Sequence, residues 1–245
     1  MILSLDLMIL GFVTLIYIFF LSAVGIKIGL IYFRNKKKVY LYTGISVIGT
    51  ATPWSGTGLF FISQVFFDII PPIELLFLFH GAFIPISSIT WIFAMLDVFE
   101  VNPNKQKWIK IIFLILWMSL EIIYLTFIFT DTTLLGTPTE NNLIIEYAPF
   151  GQLYLFIALA QMVITLTILG IYSWKSDDPK IQLRGKLIII SICIFTAAAI
   201  LEILIPIIPI LILARFLVMI YVVFYYMGFI LPKWVQDFFL RDYKA

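Results

Sequence analysis

Charge is sorted along this chain with almost no exceptions. Seven apolar stretches, each long enough to cross a bilayer, alternate with short polar segments. The segments after the first, third, fifth and seventh stretches hold nearly all the lysines and arginines, and those after the second, fourth and sixth hold none. Basic residues are retained on the cytoplasmic side during insertion, so this alternation predicts seven spans with the N-terminus outside and the C-terminus in the cytoplasm. A span needs about 20 apolar residues at about 1.5 Å rise to cross about 30 Å of hydrocarbon. The stretches that meet this length lie at about 7–33, 39–67, 75–96, 108–130, 149–172, 187–205 and 210–231. The chain is 62% hydrophobic and 12% charged, where soluble domains have about 45–50% and about 25%. What the spans leave over is loop, so a separate soluble domain has no room. The net charge of +2 then reports topology rather than affinity for nucleic acid.

Details along the chain sharpen that picture. The first apolar stretch has no basic residues before it and is followed by Arg34, Lys36, Lys37 and Lys38, which fits a first span inserted N-out rather than a cleaved signal. Span 2 is the least oily and carries Gly44, Ser46, Gly49, Thr50, Ser55, Gly56 and Gly58. Small residues allow close helix approach, so this span is expected near the centre of the bundle. Pro53 within it should kink it. The longest outer loop, about 131–148, holds Glu140 and Glu146 and no basic residue. The tail 232–245 puts Trp234, Val235, Phe238 and Phe239 on one helical face and Lys233, Gln236, Asp237 and Arg241 elsewhere, the pattern of a short interfacial helix on the inner leaflet. The expected fold is therefore an all-α membrane protein, one seven-transmembrane helix bundle with a short C-terminal interfacial helix, placed in the cell membrane.

Ionisable side chains inside a membrane are expensive, at about 2.5–3.5 kcal/mol each on insertion scales. Four stand out as candidate ligand-binding residues: His80, Glu121, Glu202 and Arg215. By helix rise, His80 lies roughly 8 Å below the outer end of span 3, Glu202 roughly 6 Å below that of span 6, and Arg215 roughly 9 Å below that of span 7. Glu202 and Arg215 flank one tight hairpin at matching depth, so an ion pair between them is expected. Glu121 sits deeper and has no basic partner in register. Gln161 or a hydroxyl of span 2 is its expected hydrogen-bond partner. Lys27, near the inner end of span 1, is expected to snorkel.

Several chemistries fall away. One histidine and one cysteine, Cys193 inside span 6, do not supply a metal cluster or a disulfide. Ser55 lies about 10 Å from the depth of His80, too far for a nucleophile and its base. No paired aspartates sit in the spans, no phosphate-binding glycine loop exists, and span 7 has no lysine for a retinal Schiff base. No catalytic residue, cofactor or metal is implied, and an enzyme is not expected.

Seven spans, N-out, with a tail helix match the plan of G-protein-coupled receptors in topology. Span 3 ends Met95-Leu-Asp-Val-Phe-Glu100 instead of in Asp-Arg-Tyr, and span 7 lacks Asn-Pro-x-x-Tyr. The chain also resembles the prokaryotic seven-helix sensor region found at the N-terminus of some histidine kinases. The resemblance lies in length, in Pro71 and Pro72 at the start of span 3, and in Gln-Leu-Arg-Gly-Lys at 182–186 leading into span 6. No kinase or cyclase domain follows span 7, so the resemblance implies a stand-alone sensor with a separate output. A sensor or receptor would bind a small or lipidic ligand in its outer half and pass movement to a cytoplasmic signalling partner at the inner loops and tail, with membrane lipid as its other contact. Glu121 at mid-membrane and a similarity between Asp68-Ile-Ile-Pro-Pro-Ile-Glu74 and Glu202-Ile-Leu-Ile-Pro-Ile-Ile-Pro209 favour a transporter or channel subunit instead. A non-catalytic membrane scaffold is the third reading.

Overall fold

A computed structural model describes residues 3–139 and 142–240. Among them the chain forms α1 (Leu5–Asn35), α2 (Lys38–Gly49), α3 (Thr52–Phe67), α4 (Ile73–Gly81), α5 (Ile84–Val98), α6 (Pro103–Thr130), α7 (Pro149–Trp174), α8 (Pro179–Leu204), α9 (Ile208–Ile230) and α10 (Lys233–Phe239). Strands β1 (Gly136–Pro138) and β2 (Ile145–Tyr147) form a small antiparallel ribbon between α6 and α7. Glu140 of the long loop and Arg241 of the tail lie outside the described residues.

Helix starts follow local chemistry. Asn102 and Asp178 accept the backbone N–H groups of Asn104 at 3.0 Å and Lys180 at 2.8 Å. Proline follows each cap, where its missing N–H is not needed. Six helical segments are long and apolar enough to cross a membrane: α1, the α4–α5 pair taken together (Ile73–Val98), α6, α7, α8 and α9. This is the composition of a multi-pass membrane protein. Exposed Trp108, Tyr172, Trp174 and Trp234 gather at the α10 end beside the exposed lysines, as side chains do at a membrane–water boundary.

Span 2 departs from the single kinked helix expected of it. It is two helices, α2 and α3, interrupted at Thr50 and Ala51. Pro53 cannot donate to the carbonyl of Gly49, and the Thr52 hydroxyl takes that carbonyl instead. The Thr50 hydroxyl donates to Val47 O at 2.8 Å and the Ser55 hydroxyl to Thr52 O at 2.8 Å. Span 3 is interrupted in the same way. Pro85 frees the carbonyl of Gly81, which accepts from Tyr154 Oη at 3.1 Å. Both breaks lie inside the bundle, where side-chain hydroxyls replace the lost backbone bonds.

The bundle closes on itself. α8 packs between α7 and α9, α9 returns to α1, α1 packs along α2 and α3, and α5 lies against α2, α6 and α7. The small residues of α2 act as expected: a Cβ on Gly44 would lie 2.7 Å from Gly29 Cα of α1. One apolar core, with Tyr17, Leu21, Trp91, Ile192 and Val218, fills the middle. A second, with Leu10, Phe60, Trp117 and Tyr154, fills the end away from α10. The segment read as the longest loop is a folded plug in that end. Leu135, Leu143 and Ile144 are buried there, and the Thr57 hydroxyl reaches Leu143 O at 3.3 Å.

The tail helix exists, with one correction to its face. Val235 is fully buried against Leu183, Leu187, Met227 and Leu231, while Trp234, Phe238 and Phe239 are exposed. Docking onto the ends of α8 and α9 turns Val235 inward and leaves the aromatic side chains outside.

Candidate functional site

The buried charge is concentrated where four helices meet. Arg215 of α9 is 3% exposed. Its Nη1 donates to both carboxylate oxygens of Glu202 on α8, and its Nε donates to Thr14 Oγ1 of α1 at 3.1 Å. Glu202 Oε2 also accepts from Trp54 Nε1 of α3 at 2.8 Å. The guanidinium lies over the Trp54 ring, 5.4 Å from its centroid. The expected Glu202–Arg215 pair is formed, and it belongs to a larger network. The proline break places Trp54 at the start of α3, where its indole can reach the carboxylate. Each charge of the pair is met by its counter-charge and by neutral hydrogen-bonding groups, the condition under which a buried ion pair is tolerated.

Glu202 lines a cavity within the bundle. It encloses about 900 Å³ of space not filled by atoms, the open space at its mouth included. The walls come from the α2–α3 break, the first turns of α5, the middle of α7, and α8 and α9. They are mainly apolar and aromatic, with Trp54, Trp91, Met162 and Phe195 among them. Tyr147 of β2 closes one side, so the plug contributes to the site. Burial, with the Glu202 carboxylate adding to it, raises the Tyr147 phenol above its ordinary pKa and keeps it a neutral hydroxyl.

Two further tyrosines line the cavity. Tyr221 and Tyr225 are 0% and 1% exposed, and among the described residues neither hydroxyl has a hydrogen-bond partner. A buried hydroxyl without a partner costs about 1–3 kcal/mol. Other polar groups nearby are satisfied: the Ser87 hydroxyl donates to Ser46 O at 2.8 Å, and Gln161 bridges Ser88 O at 2.9 Å and Trp117 Nε1 at 2.8 Å.

The remaining candidates stand apart from this cavity. Glu121 is buried on α6, and its expected partners are corrected. Gln161 is taken by Trp117 and Ser88, and Glu121 instead accepts from Tyr154 Oη of α7 at 2.9 Å. Tyr154 stacks on Tyr124, ring centroids 4.7 Å apart, and Tyr124 Oη donates to Phe77 O at 2.8 Å. Facing side chains of α6 and α7 decide this pairing, and their rotation is not set by depth alone. His80 lies beside a smaller cavity of about 250 Å³ shared with Tyr124 and Tyr154. Its Nδ1 is 3.2 Å from Leu76 O, and a Cβ on Gly56 would fall 2.1 Å from that nitrogen. The depth difference expected between Ser55 and His80 is thus corrected. The α2–α3 break brings this turn of α3 against α4, where the Ser55 hydroxyl donates to Phe79 O at 2.5 Å. The structure thus joins Glu202 with Arg215, bonds Glu121 to Tyr154, and places His80 in the lining of a small cavity that Tyr154 also lines. Lys27 is exposed and donates to Tyr226 Oη at 2.5 Å. Among the described residues no three His, Cys, Asp or Glu side chains gather as a metal site requires.

Sequence reasoning missed Trp54, Tyr147, Tyr221 and Tyr225. A signal for the last two exists. Leu211, Arg215, Val218, Tyr221, Val222 and Tyr225 recur at three- and four-residue steps and form the buried stripe of α9. The stripe that carries Arg215 inward carries the tyrosines with it. No known family, curated protein or solved structure matches the chain, and the reading of the site rests on its own residues.

Proposed function

We propose that this protein is a seven-span membrane sensor or receptor, N-terminus outside and C-terminus in the cytoplasm, whose central cavity binds a small or lipidic ligand. The α2–α3 pair serves as the seventh crossing, and α10 lies on the inner leaflet with its exposed aromatic side chains in lipid. The observation that carries the reading is the cavity itself: mainly apolar walls that include one acid and two tyrosines whose buried hydroxyls have no partner among the described residues. The walls include both sides of the α2–α3 break, so a ligand there bears on a segment able to bend. Movement of that segment would reach the lysine-rich end, where a cytoplasmic signalling partner would read it. Glu121 lies outside the cavity lining and is held by Tyr154, which supports binding in the cavity over a transport path through Glu121.

Ala199 lines the cavity on α8. Purified wild type in nanodiscs should retain a molecule other than bulk lipid in native mass spectrometry, and Ala199→Phe should lose it while keeping its unfolding temperature. Equal retention in both proteins, or none in either, would remove the binding reading. For the topology, a cysteine placed at Ser4 should react with an impermeant maleimide in intact cells and one at Lys105 only after lysis. The reverse pattern would invert the assignment.

A further inference from the structure

Three features of the cavity restrict what can occupy it. Its charge is already balanced. Glu202 is the acid in its lining, both carboxylate oxygens are engaged by Arg215, and no Lys, Arg or His is among the described lining residues. A carboxylate or phosphate would meet Glu202 with no cation facing it. An ammonium group would have to displace Arg215 from a closed ion pair. Burial of an uncompensated charge is the costliest event in such a space.

The polar groups left over are hydroxyls. Tyr221 and Tyr225 stand one turn apart on α9, ring centroids 5.8 Å from each other. They end a ladder of rings along one wall, from Trp54 to Phe195 at 6.5 Å and from Phe195 to Tyr221 at 4.7 Å. Each phenol has an O–H to donate, and neither finds an acceptor among the described residues. The ladder leads from the ion-pair network to these two donors and is otherwise apolar.

Resting on the reading that the cavity binds a ligand, we infer that this ligand is an uncharged, mainly apolar molecule whose oxygen acceptor, of the carbonyl type, receives hydrogen bonds from Tyr221 and Tyr225. The apolar body lies along the ring ladder. The Glu202–Arg215 pair stays closed and takes no part in recognition of charge.

Four photoreactive probes test this on the full chain in nanodiscs. They share a hexadecyl chain with a mid-chain diazirine and a terminal alkyne, and differ in the head: methyl ketone, carboxylate, primary amine, or plain hydrocarbon. Labelled peptides are mapped by mass spectrometry, with half-maximal labelling read by titration. The ketone should label the wall peptides containing Trp91 or Met162 at concentrations about tenfold lower than the two charged probes. In Tyr221→Phe/Tyr225→Phe its half-maximal concentration should rise about tenfold to a hundredfold, the effect of losing two hydrogen bonds at a buried site. Labelling by the hydrocarbon should not change in that variant, which also shows that the cavity is intact. If a charged probe labels best, or the double variant binds the ketone as wild type does, the inference falls and the cavity reading stands. If no probe labels the walls, both fall.

Discussion

Glu202 and Glu121 are both acids buried in helices that carry almost no other charge, yet their surroundings differ in kind. Glu202 is held by a full countercharge, an indole N–H and a guanidinium that itself reaches a fourth helix, and it borders open space. Glu121 has one phenol as its hydrogen-bond donor, that of Tyr154, which stacks on Tyr124, and it lies outside the cavity lining. The first arrangement depends on an ionised acid. The second works as well with a neutral one, because a hydroxyl can donate to a carboxylic acid carbonyl. Depth in the membrane therefore does not decide what a buried acid does; the partner on the neighbouring helix does.

That contrast can be tested by removing charge and keeping shape. The largest loss is expected for Glu202→Gln, which leaves Arg215 buried without its countercharge, at a cost of about 3–5 kcal/mol. It should appear as a clear drop in unfolding midpoint in detergent. Glu202→Gln with Arg215→Gln should lose less than Glu202→Gln alone, since the second change removes the stranded cation. Additive losses in the two single variants and the double would show that the ions are not coupled. The smallest effect is expected for Glu121→Gln, whose amide oxygen still accepts from Tyr154, at about 1 kcal/mol or less. A loss there as large as that of Glu202→Gln would show that Glu121 is ionised and that the two sites are alike.

Much of the scaffold is legible in the sequence because it is written in long-range, cumulative signals. Apolar length, lysine placement and the prolines at 103, 149 and 179 mark the helices and several of their ends. The Glu202–Arg215 pair is legible because a tight hairpin fixes both depths at once. Pro53 announces a distortion but not its extent, which depends on hydroxyls from Thr50, Thr52 and Ser55 taking over carbonyls. Pro85 carries the same signal within span 3, and the carbonyl it frees is taken by Tyr154 of a helix distant in sequence. The Glu121–Tyr154 bond and the inward turn of Val235 depend on helix rotation, which apolar surroundings on all sides leave unmarked. The cavity was illegible because a void is a property of how six segments meet.

The hydroxyl-rich break between α2 and α3 also has a consequence for biogenesis. Neither half alone is long enough to span the hydrocarbon, and the run of glycine, serine and threonine around the break weakens the signal that an insertion machinery reads. In the proposed seven-span arrangement the pair is held in place by what is already there, and α1 is the segment made just before it and packed most closely along α2. Assembly of the first two segments becomes one event rather than two. Loosening the Gly29–Gly44 contact would then reduce the yield of inserted protein before it altered any property of the finished one.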